Sequence, residues 1–330
     1  MRTKKGYSIR KNILVKYEQD GSEFVIPDGV IAIGAGAFKN NIYLTSVTIP
    51  NSVTYIGAQA FSGCSDLRSI ALPDSVTHID PNAFAYSGLT NIEMPRFLTY
   101  IGSHAFFNCK EISNITIPNT VTEIGQYAFA CCSSLTHISI PSSVINLHPG
   151  VFSGCSSLAV ITVEKGNPKY RSEGNCLIAT ILHSIIQGSG NSIIPEDDEV
   201  TSISSNAFEN CYTLAEIKIP QNIKWIGKFA FNRCKNLKTI EFSNGLTIIE
   251  RYTFAGCESL TNVDLPDSIT TIENSAFRGC TNLRSIKIPA SVTFIEYDAF
   301  AQCNQITIIT PKNSCAEKCA RAWGINVKTI

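Results

Sequence analysis

Charged residues are scarce in this sequence. Only 16% of its 330 residues are Asp, Glu, Lys or Arg, and 27 basic side chains balance 27 acidic ones. A chain with zero net charge presents no field of one sign that would attract a polyanion. The composition therefore argues against a nucleic-acid-binding protein and against a protein held on an acidic membrane surface.

Long apolar stretches are also missing. The sequence contains no run of about 20 apolar residues, which is the length that a membrane-spanning helix needs. Residues 1–5 are basic like the start of a signal peptide, but Arg10, Lys11 and Lys16 interrupt the segment that should form its apolar core. We therefore expect no membrane span and no export signal in this sequence, and a cytoplasmic location stays open.

Recognisable catalytic and metal-binding motifs are absent as well. The sequence has no GxSxG elbow, no HExxH pair and no glycine-rich phosphate loop. The acidic run at 196–199 lacks the alternating ligands and glycine bend of a calcium loop, so we predict a solvated bulge. Five histidines occupy unrelated positions: His78, His104, His137, His148 and His183. We predict no catalytic residue, no cofactor and no metal.

What the sequence does contain is a strict repeat of phenylalanine. Successive members are 23 residues apart, except for one step of 22 and one of 56. The positions are Phe38, Phe61, Phe84, Phe106, Phe129, Phe152, Phe208, Phe231, Phe254, Phe277 and Phe300. A fixed period of this length indicates a solenoid, in which stacked coils bury one continuous core.

Residues 44–67 show what one coil contains. Residues 44–49 end in the apolar–polar alternation of a short strand, which Pro50 stops because proline cannot donate to a ladder. Residues 53–56 are β-branched and aromatic, as expected of a second strand. The apolar spacing at 60–64 fits a single helical turn. We therefore predict coils of two short strands and one helical turn.

The N-terminal end departs from this period. Residues 12–15 and 24–27 resemble two strands, and Asp20-Gly21 between them is a turn signal. A solenoid needs an atypical end, because an exposed coil invites further stacking. We therefore predict a capping hairpin within residues 1–26.

The long gap in the period predicts an insert at 164–199. Turn signals surround two strand-like segments there, 176–179 and 182–186, which predict a hairpin. The insert would divide the coils into a block of six repeats and a block of five. These blocks are 27–163 and 200–310.

The C-terminal segment 311–330 is predicted to be a cap of one helix and one strand. Cys315, Cys319 and Trp323 fall on one helical face, and Gly324 ends the helix. The two cysteines could also supply two zinc ligands, but no second pair lies near them in sequence. We favour packing of the helix over the last coil.

Nine of the 13 cysteines share one position in the coil. They are Cys64, Cys109, Cys132, Cys155, Cys211, Cys234, Cys257, Cys280 and Cys303. A metal array or disulfides would be the functional interpretation. A position used in nearly every coil, and filled elsewhere by Asn41 and Ser87, instead favours a column of small buried side chains. Free thiols would suit a reducing or anaerobic setting.

Aromatic side chains recur just before the second-strand Ile, where a residue should face solvent. The members are Tyr55, His78, Tyr100, Trp225 and Phe294. Aligned exposed aromatics are enriched at recognition sites, so these are our candidate binding residues, although they could simply shield the sheet. The matching first-strand row is rich in threonine early and charged late: Thr48, Ala71, Glu93, Thr116, Ser139, Thr162, Lys218, Glu241, Asp264, Lys287 and Thr310.

Three tags recur over residues 24–310, namely Ile49-Pro50-x-x-Val53-Thr54-x-Ile56-Gly57, Ala60-Phe61 and Cys64-x-x-Leu67. Together they resemble the BspA-type leucine-rich repeats. The insert, with Asn167-Pro168-x-Tyr170, is similar to an irregular hairpin unit of that family. The resemblance implies an α+β repeat solenoid: a right-handed coil of short parallel strands and single helical turns, with an N-terminal hairpin cap and a C-terminal helix cap.

Members of that family are often bacterial or protozoan surface proteins, and some bind host proteins or other microbes. The resemblance therefore implies a non-catalytic recognition module, secreted or on the cell surface, with a protein or glycan as its ligand. One alternative is an intracellular scaffold or self-assembling homo-oligomer. A second alternative is a β-helix-like polysaccharide enzyme, which would need charged residues gathered on one face, and the sequence offers none.

Overall fold

The computed structural model describes residues 6–19 and 21–330, in two compact units that meet in sequence between Pro168 and Lys169. Each unit consists of short strands stacked from coil to coil, which confirms the predicted solenoid. Twelve strands lie in the described part of the first unit: β1 (Tyr7–Arg10), β2 (Ile13–Tyr17), β3 (Glu23–Val25), β4 (Ala32–Ile33), β5 (Ser46–Thr48), β6 (Tyr55–Ile56), β7 (His78–Ile79), β8 (Tyr100–Ile101), β9 (Glu123–Ile124), β10 (His137–Ile140), β11 (Asn146–Leu147) and β12 (Val160–Val163).

The second unit has fourteen strands and one α-helix. The strands up to the last coil are β13 (Tyr170–Glu173), β14 (Cys176–Ala179), β15 (Ser184–Gln187), β16 (Ser202–Ile203), β17 (Glu216–Ile219), β18 (Trp225–Ile226), β19 (Thr239–Phe242), β20 (Ile248–Ile249), β21 (Asn262–Asp264), β22 (Thr271–Ile272), β23 (Ser285–Lys287) and β24 (Phe294–Ile295). The C-terminal elements are β25 (Thr307–Thr310), α1 (Cys315–Trp323) and β26 (Asn326–Thr329).

The second strands of successive coils pair in parallel. In the first unit they form one sheet in the order β1-β2-β4-β6-β7-β8-β9-β11, in which only the β1–β2 pair is antiparallel. Equivalent residues of each coil are direct neighbours across this sheet, for example Tyr55, His78 and Tyr100. In the second unit the same position forms the β13-β14-β15-β16-β18 and β20-β22-β24 sheets. Residues at the same position of the repeat therefore form a row that runs from coil to coil.

First strands pair in the same way on another side of the coil. The parallel pairs are β3–β5 and β10–β12 in the first unit, with β17–β19 and the β21-β23-β25-β26 sheet in the second. One register differs from the predicted row, because Lys287 lies beside Ile309 and Thr310 is buried. The prediction for Thr310 was wrong because Pro311 ends this last strand one residue early.

The repeat phenylalanines fill the core in single file, as predicted. From Phe38 to Phe152, neighbouring ring centroids are 4.9–5.8 Å apart and the rings lie within 6° of parallel. From Phe208 to Phe300 the centroid distances are 4.8–5.8 Å and the angles are 12–18°. Each ring is buried, so this column contributes a large share of the apolar area removed from water.

The third side of each coil is a run of hydrogen-bonded turns, where a helical turn was predicted. Phe38 N–H donates to the Ala60 carbonyl at 2.8 Å, and Phe61 N–H donates to the Ala83 carbonyl at 2.7 Å. These bonds run to the next coil instead of back along the chain, as they would in a helix. In every coil but the last, the residue two positions before the repeat phenylalanine has a positive φ, for example 59° at Gln59, which turns the backbone toward the neighbouring coil.

The cysteine column is buried and adds a hydrogen bond that the sequence did not reveal. In eight of the nine repeats the thiol donates to the phenylalanine carbonyl of the preceding coil, over 3.0–3.3 Å. Burial raises the pKa of Cys64 and of Cys257 to about 12, so these thiols keep the proton that they donate. All 13 cysteines are free.

The N-terminal hairpin has different strands from those predicted. β1 pairs antiparallel with β2 through a turn at Lys11 and Asn12, whose φ angles are 49° and 60°. Residues 23–25 instead pair in parallel with β5, because Phe24-Val25-Ile26-Pro27 repeats the first-strand pattern of a coil. Asp20 of the predicted turn lies outside the described residues.

The insert contains the predicted hairpin and one strand more. β14 pairs antiparallel with β15, which begins at Ser184, and β13 pairs antiparallel with β14. The sequence of β13, Tyr-Arg-Ser-Glu, is polar and so gave no apolar signal. β15 then pairs in parallel with β16 and so continues into the coils. The five-part division of the chain stays a prediction.

The predicted C-terminal helix is present as α1. The Ser314 hydroxyl accepts from Glu317 N–H at 3.1 Å and caps its start, and Gly324 closes it at a φ of 69°. Ala316 and Ala320 are fully buried against the coils. β26 follows and pairs in parallel with β25.

Candidate binding face

The five candidate residues occupy one structural position. Each is the first residue of a second strand: Tyr55 on β6, His78 on β7, Tyr100 on β8, Trp225 on β18 and Phe294 on β24. The next residue in each strand is a buried isoleucine, so the alternation of the strand turns the candidate outward. Tyr55, Trp225 and Phe294 are 38%, 43% and 53% exposed, His78 is exposed and Tyr100 is half-buried.

Three of the five residues come together on adjacent coils of the first unit. The ring centroids of Tyr55 and His78 are 6.4 Å apart, and those of His78 and Tyr100 are 6.0 Å apart. Parallel pairing of β6, β7 and β8 fixes these spacings. We call Tyr55, His78 and Tyr100 the ring ladder.

Hydrogen bonds orient the ring ladder. The Tyr55 hydroxyl donates to the Asp80 carboxylate, which lies at the corner after β7. This bond, helped by burial, raises the pKa of Tyr55 to about 12, and burial also raises the pKa of Tyr100. His78 Nδ1 lies 2.9 Å from the Thr77 hydroxyl. Both phenols therefore stay protonated at neutral pH. The Tyr100 hydroxyl can donate to a ligand, whereas the Tyr55 hydroxyl, whose one proton goes to Asp80, can only accept from one.

Trp225 and Phe294 stand apart from one another, in separate sheets of the second unit. The Trp225 indole N–H donates to Glu250 Oε1 at 3.1 Å, which fixes the ring against the next coil. The neighbours of Phe294 in the row are not aromatic, since Thr271 precedes it. Sequence reasoning thus identified the correct slot, but only three of its aromatic residues form a group.

A second aromatic group lies on the turn side of the first unit, and sequence reasoning missed it. His104 contacts Phe107 and Tyr127, each with ring centroids 5.3 Å apart, and Tyr86 contacts Phe107 at 5.4 Å. Tyr86 is 54% exposed. Comparing the residues around each repeat phenylalanine, coil by coil, would have found this group.

Ion pairs hold several charged groups of the insert. Arg171 contacts the carboxylates of Glu173, Asp197 (3.1 Å) and Glu199 (3.6 Å), and Lys218 lies 2.6 Å from Glu196. The predicted acidic bulge is therefore held by cations of the protein itself. Its carboxylates serve the structure of this corner.

The histidines, cysteines and carboxylates do not gather into a metal site. The Cys315 and Cys319 sulfurs are 4.0 Å apart on α1. Over residues 6–19 and 21–330, however, no three His, Cys, Asp or Glu side chains lie close enough together to hold a metal ion. Nor does any helix within these ranges have the length and apolarity to cross a membrane.

The family follows from a comparison of this coil with known repeats. The family model for the BspA type leucine rich repeat region matches residues 9–97, 77–198 and 201–319. The chain belongs to the BspA-type leucine-rich-repeat family. The matches run through the insert and both sets of coils, so the whole candidate face lies on family repeats.

Solved structures resemble this BspA-type protein over almost its full length. A leucine rich cell surface protein from Faecalibacterium prausnitzii is 30% identical, with a TM-score of 0.75 and 96% of each chain covered. A leucine-rich repeat protein from Bacteroides ovatus is 25% identical, with a TM-score of 0.65, 98% of this chain and 90% of that chain covered. The pneumococcal vaccine antigen PcpA, 22% identical with a TM-score of 0.69 and 98% and 96% covered, shares the fold. No curated protein matches this sequence.

Proposed function

We propose that this BspA-type protein is a non-catalytic recognition module, secreted or displayed at the cell surface, that binds a protein or glycan through its second-strand sheet face. The ring ladder carries the proposal: three rings lie on adjacent coils, and two of them are exposed. Aromatic side chains of this kind dominate the energetics of protein recognition sites.

The ring ladder is suited to binding because it is already ordered. Its backbone is fixed by coil-to-coil pairing, and the Tyr55 and His78 rings are held by Asp80 and Thr77. Binding of a ligand therefore costs little side-chain conformational entropy. Each ring offers an apolar body and a polar tip, so the ladder can contact either a protein surface or a sugar.

The location is supported by likeness to the Faecalibacterium prausnitzii protein, described as a cell surface protein. A non-catalytic role is supported by the ring ladder's chemistry. Asp80 is occupied by the Tyr55 hydroxyl, and Glu123 lies 3.3 Å from His148 Nε2. Asp80, Glu123 and His148 therefore already have partners within the protein.

The proposal is tested by screening the purified chain against an array of extracellular proteins and glycans and then measuring affinities for each hit. The Tyr55→Ala/His78→Ala/Tyr100→Ala variant should weaken binding by about 30-fold or more, because the loss of even one hot-spot residue costs about 2 kcal/mol. Tyr43→Ala is the matched control, since Tyr43 is 55% exposed in the same unit but lies outside the row. A triple variant that binds as tightly as the unmodified chain would remove the ring ladder from the proposal.

A self-assembling scaffold is the second candidate function, and the sheet edges favour it. Among the described strands, β1 and β26 are each the outer strand of a sheet, and an outer strand can pair with a strand of another copy. Sedimentation velocity of the chain over a hundredfold concentration range distinguishes the candidates. Concentration-dependent growth beyond a dimer supports the scaffold, whereas a constant monomer supports the recognition module.

A further inference from the structure

The turn side of the second unit has a gap in one of its side-chain rows. The residue two positions after each repeat phenylalanine has a positive φ, and in this unit the row reads Asn210, Arg233, Gly256, Gly279 and Gln302. Two adjacent coils thus place glycine where the coils on either side place long side chains. In the first unit the row is Asn40, Gly63, Tyr86, Asn108, Cys131 and Gly154, without two successive glycines.

This gap opens a groove with a volume of about 710 Å³. Gly256 and Gly279 form its floor, and Arg233 and Gln302 close its two ends. Phe229 and Tyr252 form one wall, with ring centroids 4.8 Å apart and planes within 5° of each other. We call this feature the glycine groove.

The charge of the glycine groove is positive. Lys235 is paired with Glu258, 3.0 Å away on the next coil. Arg233 and Arg278 are exposed, and within residues 6–19 and 21–330 neither has a carboxylate at ion-pair distance. Guanidinium groups without a partner favour carboxylate or sulfate, which they bind in a bidentate manner.

The backbone N–H groups of the two floor glycines already have partners. Gly256 N–H donates to the Arg278 carbonyl at 2.7 Å, and Gly279 N–H donates to the Ala301 carbonyl at 2.8 Å. A peptide that adds to a sheet needs free backbone groups, and this floor offers no such N–H. Recognition over this floor must therefore come from side chains: two guanidiniums, the Gln302 amide and an aromatic wall.

We infer that the glycine groove binds a short stretch of an acidic oligosaccharide, whose carboxylate or sulfate groups meet Arg233 and Arg278 while its apolar sugar faces pack along Phe229 and Tyr252. A sugar chain presents both kinds of surface on each residue and requires no backbone pairing. The site is separate from the ring ladder and does not depend on it.

The test is isothermal titration of the full chain with four probes: tetragalacturonate, a chondroitin sulfate tetrasaccharide, maltotetraose and tetraglutamate. We expect at least one acidic tetrasaccharide to bind tenfold or more tightly than the neutral maltotetraose and the tetraglutamate peptide. The two acidic sugars distinguish carboxylate from sulfate. Added salt should weaken the binding, because the arginines are exposed.

A filled groove provides the decisive variant. In Gly256→Asn/Gly279→Asn the new side chains occupy the gap, and asparagine tolerates the positive φ that Asn210 already has in this row. This variant should lose tenfold or more in affinity for the acidic sugar, whereas the matched control Gly154→Asn in the first unit should not. If the double variant fails to fold, Arg233→Gln/Arg278→Gln gives the same test, since both arginines are exposed.

Three results would overturn the inference: no measurable binding of either acidic tetrasaccharide, equal binding of maltotetraose or tetraglutamate, or undiminished binding by the filled or arginine-free groove. The Tyr55→Ala/His78→Ala/Tyr100→Ala variant should bind the sugar as well as the unmodified chain does. Failure of the glycine groove and failure of the ring ladder are therefore separately visible.

Discussion

The two units build the same interior but finish the corner after the second strand differently. In the first unit four coils place glycine there, Gly34, Gly57, Gly102 and Gly125, whereas three coils of the second unit place glutamate there, Glu250, Glu273 and Glu296. A Cβ at Gly125 would lie 2.4 Å from the Ser103 nitrogen, so at this corner the neighbouring coil is too close for a side chain. The repeat therefore dictates the core and leaves the corners free to differ.

The exposed residues of the first strands also differ between the two units. The exposed positions of the first unit are mostly neutral, as at Thr48, Thr116 and Ser139, and those of the second unit carry Lys218, Glu241, Asp264 and Lys287. Stacking demands like side chains only where they meet inside the coil. Outside, each unit can present its own chemistry: a ring ladder on the first and a positively charged groove on the second.

The largest expected effect tests whether the interior is truly common to both units. Phe106→Ala and Phe231→Ala each remove a buried ring from the middle of a stack, between Phe84 and Phe129 or between Phe208 and Phe254. Each substitution should lower the free energy of unfolding by about 3–5 kcal/mol, since it leaves a cavity that close packing cannot collapse. Urea unfolding measures both.

Phe97→Ala is the control for these two variants, because Phe97 is 59% exposed and should change stability by less than about 0.5 kcal/mol. The two core variants should agree to within about 1 kcal/mol, within the spread of such sites. If one unit tolerated the loss and the other did not, the two interiors would not be equivalent.

A smaller effect is expected in the cysteine column, which both units also share. Cys132→Ala and Cys257→Ala should each lower the free energy of unfolding by about 1–2 kcal/mol, because each loses a thiol–carbonyl hydrogen bond and leaves a small void. Serine at the same positions should cost less than alanine, since Ser87 already fills this slot beside Cys109 at 3.3 Å. Equal costs for serine and alanine would show that the hydrogen bond is not what matters.

The interior could be predicted from the sequence because the period alone assigns each phenylalanine to one slot. The turn side could not, because apolar residues three apart fit a helical turn and a tight turn equally well. The deciding feature is a positive φ at residues such as Gln59, His104 and Tyr127, and none of these is the glycine that normally marks such a backbone.

The candidate sites were predictable to a similar degree. The slot of Tyr55, His78 and Tyr100 follows from strand alternation, but the Asp80 carboxylate that orients Tyr55 lies 25 residues further on, and no local pattern links the two. The glycine groove depends on a comparison across coils, since neither Gly256 nor Gly279 is unusual alone. In a repeat protein of this kind, the candidate sites are found where individual coils depart from the repeat.

The smallest expected effect is a pH-dependent change in stability at the glutamate corner of the second unit, which the glycine corners of the first unit cannot show. Glu273 Oε2 is buried without a hydrogen-bond partner, with Arg251 Nε 3.7 Å away. Burial, and next the charge of Glu250, raise the pKa of Glu273 above its usual value of 4.5. A raised carboxyl pKa means that the folded state disfavours the charge, so ionisation destabilises the protein as pH rises through that pKa, and below pH 4.5 the penalty vanishes.

Glu273→Gln should therefore increase the free energy of unfolding at pH 7 by less than about 1 kcal/mol, because the side chain is partly solvated, and should give no gain at pH 3. Urea unfolding at both pH values measures this, with the exposed Glu216→Gln as the control. A gain that persisted at pH 3 would mean that the charge of Glu273 is not what destabilises this corner of the second unit.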